Sequence, residues 1–100
     1  MKILISGKIT GLDCLRVACK FWRAEEALVE SGHDVINPVG MTVGIAGESW
    51  EHKDYMHLTL AAVEICDAVY MLDDWEDSPG AIMEHETAVA LGKRIIYEGD

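Results

Sequence analysis

Short apolar runs alternate with longer helical repeats along the chain. Lys2–Ser6 (KILIS) and Ala68–Leu72 (AVYML) are nearly continuous apolar segments, the pattern of strands covered on both faces. His33–Ile36 and Arg94–Tyr97 read as two further short strands. A helix is predicted from Leu12 or Asp13 to about Glu30. Leu15, Ala18, Trp22 and Leu28 approximate its apolar spacing, with Phe21 alongside, and Ser31-Gly32 ends it. A second helix spans Trp50–Cys66, its apolar side formed by Tyr55 or Met56, Leu58, Ala62 and Ile65. A third starts at Ser78-Pro79, runs to about Leu91 and stops at Gly92; Ser78 suits the cap and Pro79 the first helical position. Asn37-Pro38 closes the second strand. The following Val39–Ser49, with three glycines and no period, has the look of a lid or binding loop. Strands alternating with helices predict one α/β domain over residues 1–100: a doubly wound, mainly parallel sheet of four to five strands with helices on both faces. Lys2–Ser6 and Ala68–Leu72 are expected at its centre.

The last helix contains one anomaly. Ala81, Glu84, Ala88 and Leu91 fall on a single stripe, so a carboxylate sits among residues expected to face the sheet. A side chain reaching solvent at the stripe's edge would also account for it, and Ile82, Glu86 and Val89 are patterned almost as well. Spacing does not choose between them. In open parallel sheets, ligands bind beyond the carboxyl ends of the strands. There the chain places Gly7–Gly11, Asn37–Ser49 and Asp73–Ser78. The sequence GKITG is neither GxGxxG nor a P-loop, and a tight strand-to-helix turn explains it equally well.

Composition narrows the partners. A net charge of −10 argues against general affinity for nucleic acid or anionic membranes, while leaving room for a small anion at a helix N-terminus. Cys14, Cys19 and Cys66 form no CxxC pair; reduced thiols in a cytoplasmic protein are expected, Cys14 and Cys66 as small buried residues. Neither a signal peptide nor a membrane-spanning run is visible. His33, His52, His57 and His85 lack metal-ligand spacing, so neither metal nor cofactor is expected.

Several segments together carry a resemblance: MKILISGKITG at the start, WEHKDYM, Cys66-Asp67 before an apolar strand, and WEDSPGAIMEHETAVALGKRIIY. They resemble the DUF4406 family of small proteins, which is similar to the nucleoside 2-deoxyribosyltransferases. The most specific part is S-x-G-x-x-x-E followed by A-x-x-x-x-G-K, from Ser78 to Lys93. The resemblance implies a transferase-like (flavodoxin-like) fold. It also implies that Glu84, not Glu86, is the nucleophile that attacks the anomeric carbon of a 2-deoxyribonucleoside. Where the transferases have an acidic residue, this chain has Ser78, as do the related deoxynucleoside-monophosphate N-glycosidases, whose Ser contacts the 5′-phosphate. Two positions depart from the wider pattern: an Asp of the superfamily falls at Thr59, and a Tyr of its first strand falls at Leu4.

The expected site is therefore Glu84 as catalytic residue, with Gly7, Lys8, Ser78, Gly80, Asp54 and Trp75 binding substrate; Trp50 and Trp75 flank the site loops and offer rings for base stacking. The expected activity is that of a deoxyribosyltransferase or deoxynucleotide N-glycosidase taking a nucleoside or nucleotide. The alternatives are a non-catalytic nucleotide-binding or sensing module, or a small phage-type interaction protein. A homodimer or larger homo-oligomer is expected, because so small a sheet leaves edges and helix faces to cover.

Overall fold

The computed structural model describes residues 1–41 and 49–100. The order is β1 (Lys2–Ser6), α1 (Cys14–Glu30), β2 (Asp34–Ile36), α2 (Pro38–Met41), α3 (His52–Ile65), β3 (Ala68–Met71), a 3₁₀ turn at Trp75–Asp77, α4 (Pro79–Ala90) and β4 (Arg94–Tyr97). All four strands are parallel, in the order β2-β1-β3-β4, with β1 and β3 central as predicted. Leu4 lies opposite Ile36 on one side and Val69 on the other. Asp67 starts β3 by accepting a hydrogen bond from the Lys2 N–H at 2.9 Å, while its own N–H donates to the Lys2 carbonyl. The expected lid begins with α2, and residues 42–48 lie outside the described residues.

The sheet has a helix layer on each face. Ile3, Ile5, Ala68 and Leu72 pack with Val17, Phe21, Ala24 and Leu28 of α1. Leu4, Val69 and Met71 pack on the other face with Ala62 and Val63 of α3, Cys66, and Ala81 and Ala88 of α4. The alternation of β1 and β3 between the two clusters is the period-two geometry of a strand.

Three helix faces differ from the spacing-based expectation. The α1 core stripe is Val17, Phe21, Ala24 and Leu28; Leu15 is 72% exposed and Trp22 46%. This helix carries large apolar groups on two sides; its N-cap is Asp13, whose side chain accepts from the Leu15 N–H. On α3 the buried set is Met56, Thr59, Ala62 and Val63, while Ile65 is exposed. On α4 the stripe Ala81, Glu84 and Ala88 is buried as expected, but Leu91 lies beyond the last turn as the C-cap and is exposed. Cys14, expected inside, is exposed.

Candidate functional site

The strand order reverses between β1 and β3, so the connections leaving their carboxyl ends diverge and open a crevice, the usual ligand position in such sheets. A cavity of about 350 Å³ lies there, lined by Ser6 at the end of β1, Gly7, Ile9 and Thr10 in the following loop, and Pro38. α3 contributes His52, Tyr55, Met56 and Thr59, and α4 contributes Ser78, Gly80, Ala81 and Glu84.

Glu84 sits in the second turn of α4, 7% exposed. The alternative of a side chain reaching solvent is thereby overturned, whereas Glu86 is exposed. Ser6, also buried, donates its hydroxyl to Glu84 Oε1 at 2.5 Å. Burial drives the Glu84 carboxyl above its ordinary value by disfavouring the charge; the Ser6 and Thr59 hydroxyls and the positive potential of His52 act in the opposite direction. Burial thus opposes ionisation of this carboxyl, while the neighbouring hydroxyls and His52 favour the anion.

Two glycines at the cavity stand in close approach to their neighbours. A Cβ on Gly7 would lie 2.7 Å from Leu72 Cδ1 and 2.9 Å from its Cβ. A Cβ on Gly80 would meet Met56 Sδ at 3.1 Å and His52 Cε1 at 3.4 Å, so a side chain there would press into the wall formed by α3. At the start of α4, Ser78 Oγ accepts from the Ala81 N–H at 3.1 Å, and Pro79 occupies the first position. Pro79 has no N–H, and Ile82 donates to the Ser78 carbonyl. Among the described residues, the first turn thus leaves the Gly80 N–H and the Ser78 hydroxyl proton available to a ligand.

Of the sequence-predicted site residues, Gly7, Ser78, Gly80 and Glu84 share this cavity. Lys8, Asp54 and Trp75 do not line it, which corrects the expected grouping. The Lys8 backbone is clamped by Asp74 and Lys20: its N–H donates to Asp74 Oδ1 at 3.0 Å, and its carbonyl accepts from Lys20 Nζ at 2.9 Å. Asp54 caps the start of α3 by accepting from the Glu51 N–H at 2.7 Å. Trp75 stacks on His85 with ring centroids 4.3 Å apart and packs on the α3/α4 core. Trp50 lies against Tyr55.

Residues 1–97 match the model of a family described as a domain of unknown function, DUF4406. The chain belongs to this family. Among curated proteins, none matches it. The family's domain therefore covers every element that builds the cavity, from β1 to α4.

Sequence reasoning missed Ser6, His52, Tyr55 and Thr59 as parts of this member's cavity wall. Ser6 carried a usable signal: it has the same strand parity as Leu4 and stands last in β1, so it faces α3 and α4 at the carboxyl edge. His52, Met56 and Thr59 form an i, i+4, i+7 stripe, legible once α3 is known to start at His52. Cys66 is no candidate nucleophile: burial first, then the neighbouring Asp67 charge, pushes its thiol up. Among the described residues, no group of three or more His, Cys, Asp or Glu side chains is arranged to hold a metal ion, and no helix is long and apolar enough to cross a membrane.

Proposed function

We propose that this protein cleaves or transfers the N-glycosidic bond of deoxynucleosides or their monophosphates, with Glu84 as nucleophile. The observation that carries the reading is Glu84 itself: a buried carboxyl, bonded to a hydroxyl, in the wall of a cavity at the sheet's switch point. A carboxylate in a partly apolar site is costly for folding alone, so its presence there is explained by chemistry. The cavity volume suits a nucleoside-sized ligand. The resemblance of the Ser78–Lys93 segment to the nucleoside 2-deoxyribosyltransferases and the deoxynucleoside-monophosphate N-glycosidases supports the same role for Glu84.

In this reading Glu84 attacks the anomeric carbon as the base departs, through an oxocarbenium-like transition state whose positive charge a carboxylate stabilises. Water or a second base then resolves the glycosyl ester. The Ser78 hydroxyl and the Gly80 N–H, at the positive end of α4, are the groups for a 5′-phosphate.

One observation favours a second reading, a nucleotide-binding module without turnover. Glu84 is the single carboxylate among the described residues lining the cavity. One assay separates the two: wild type and Glu84→Gln are incubated with a panel of deoxynucleosides and their monophosphates, and free base is measured by chromatography. Base released by wild type and lost in the variant supports the enzyme. Base released equally by both removes Glu84 as nucleophile. Thermal stabilisation by a nucleotide without base release supports the binding module.

We further take the protein to be a homodimer or larger. Leu15, Trp22 and Val29 repeat every seven residues on the outer side of α1 and are exposed there. Sedimentation at micromolar concentration giving only an 11.1 kDa species would contradict this.

A further inference from the structure

We propose that His52 is the proton donor to the departing base, delivering its proton from the first turn of α3 into the cavity that Glu84 also lines. The inference rests on the glycosidic reading of the site and adds to it the group that activates the leaving base.

The geometry supplies the argument. His52, Met56 and Thr59 share the face of α3 that lines the cavity, with His52 in the first turn. The imidazole lies against the first turn of α4: Cε1 and Nε2 are 3.4 and 3.8 Å from where a Gly80 Cβ would stand. The tighter neighbour of that position is Met56 Sδ at 3.1 Å, so the ring and the thioether together line this side of the first turn. The His52 charge also reaches Glu84 and favours its ionised form, so the two groups act on one space. Among the described lining residues, the titratable side chains are Glu84, His52 and Tyr55. No lysine is among them.

The chemistry needs such a donor. A nucleobase that departs as an anion is a poor leaving group, and its protonation lowers the barrier. With Glu84 committed to the anomeric carbon, a phenol and an imidazole remain, and imidazole is the side chain that exchanges protons near neutral pH. In the first step a Glu84 oxygen bonds to C1′ while the C1′–N bond breaks. The electron pair of that bond goes to the base nitrogen, and the imidazolium proton goes to the base, which leaves neutral. In the second step water attacks C1′, its proton passes to the now neutral imidazole, and the C1′–O bond to Glu84 breaks to restore the carboxylate. The net change is hydrolysis, with both side chains returned to their starting states.

The test compares leaving groups. One substrate is the deoxynucleoside monophosphate that wild type cleaves fastest. The other is 4-nitrophenyl 2-deoxyriboside, with and without a 5-phosphate, whose leaving group departs as a stabilised anion without a proton. His52→Gln is expected to lower kcat/KM for the nucleotide by about 10²-fold or more, and for the aryl glycoside by less than about 5-fold. Glu84→Gln is expected to remove turnover of both. Imidazole added to His52→Ala is expected to restore nucleotide cleavage selectively. Equal losses on the two substrates, or no loss on the nucleotide, overturn the role of His52 while leaving Glu84 in place. Wild type that cleaves neither substrate overturns the glycosidic reading and this step with it. Melting temperatures of the variants, expected close to wild type because His52 is exposed, separate a folding defect from a chemical one.

Discussion

On the α1 face of the sheet, Ile3 and Ile5 of β1 are followed by Gly7, and apolar packing against Val17, Phe21 and Leu72 continues to the carboxyl edge. On the opposite face the same strand offers Leu4 and then Ser6, and beyond Leu4 the core gives way to Ser6, Glu84 and Thr59. Each face also has a carboxylate at this edge. Asp74, on the α1 side, pairs with Lys20 and accepts the Lys8 N–H; burial works to raise its carboxyl, but these partners outweigh it and hold the group below the ordinary range. Against burial, Glu84 has the Ser6 and Thr59 hydroxyls and His52, and burial wins. One carboxylate is held as a charged clamp and stabilises the fold. The other lies beside a cavity in a form that the fold alone does not require. The difference separates a structural carboxylate from a functional candidate, and it can be attacked from both sides.

The largest expected effect lies on the α1 face. Phe21 is fully buried against β1 and β3, so Phe21→Ala removes a large side chain from the packed core of this face, and is expected to destabilise the fold by about 3–5 kcal/mol. Urea unfolding measures this directly. A loss below about 1 kcal/mol would mean that this face is not the packed side of the sheet.

Next is the charged clamp. Asp74→Asn is expected to cost about 1–2 kcal/mol at neutral pH, because Lys20 and the Lys8 N–H lose a charged acceptor at a partly solvated site. The folded carboxyl lies below its ordinary 3.8, so its contribution is present above that value and is lost as pH falls through the folded one. The gap between wild type and Asp74→Asn should therefore narrow in acid below pH 3.8. A gap independent of pH would assign the clamp to shape and not charge.

The contrast also shows where sequence was informative. The strands were legible because β1 and β3, covered on both faces, admit almost only apolar residues, and their central places followed. The α1 face was misread because Leu15 and Trp22 are spaced for a helix as well as Val17 and Phe21 are; only the tertiary approach of α1 to β1 distinguishes them. Spacing tied Glu84 with Glu86 for the same reason, and the packing of α4 on the sheet separates them. Lys8, Asp54 and Trp75 looked like site residues because they stand near site loops. In the structure they lie outside the cavity lining: Asp74 and Lys20 hold the Lys8 backbone, Asp54 closes a capping box with Glu51, and Trp75 stacks on His85. His52 went unassigned because its meaning depends on Gly80, 28 residues away in the chain.

Ser6→Ala tests the hydroxyl that holds Glu84. Removing the donor leaves Glu84 Oε1 without its 2.5 Å partner, so the anion is less favoured and its position less fixed. If the site turns over, kcat/KM is expected to fall about 10-fold, which is about 1.4 kcal/mol. The acid limb of the pH–rate profile should move upward, and Ser6→Thr should restore part of the rate. A loss of rate with an unmoved acid limb would make Ser6 a packing residue only.

The smallest effect is the most diagnostic of the comparison, because its sign is opposite to that of Asp74. The folded Glu84 carboxyl lies above its ordinary 4.5. Below 4.5 the group is protonated in both the folded and unfolded chain, and its full contribution is present. As pH rises through the folded value, the folded protein must ionise a buried group that the unfolded chain ionises freely, so stability is lost. Glu84→Gln keeps the shape and removes the ionisation. It is expected to match wild type near pH 4 and to exceed it by about 1 kcal/mol at pH 7.5. Combining it with Ser6→Ala should remove most of the stability penalty of Ser6→Ala at neutral pH, since that penalty acts through the anion. Urea midpoints at the two pH values measure the gap. A Glu84→Gln variant less stable than wild type at neutral pH would place Glu84 with Asp74, as a charge that the fold relies on.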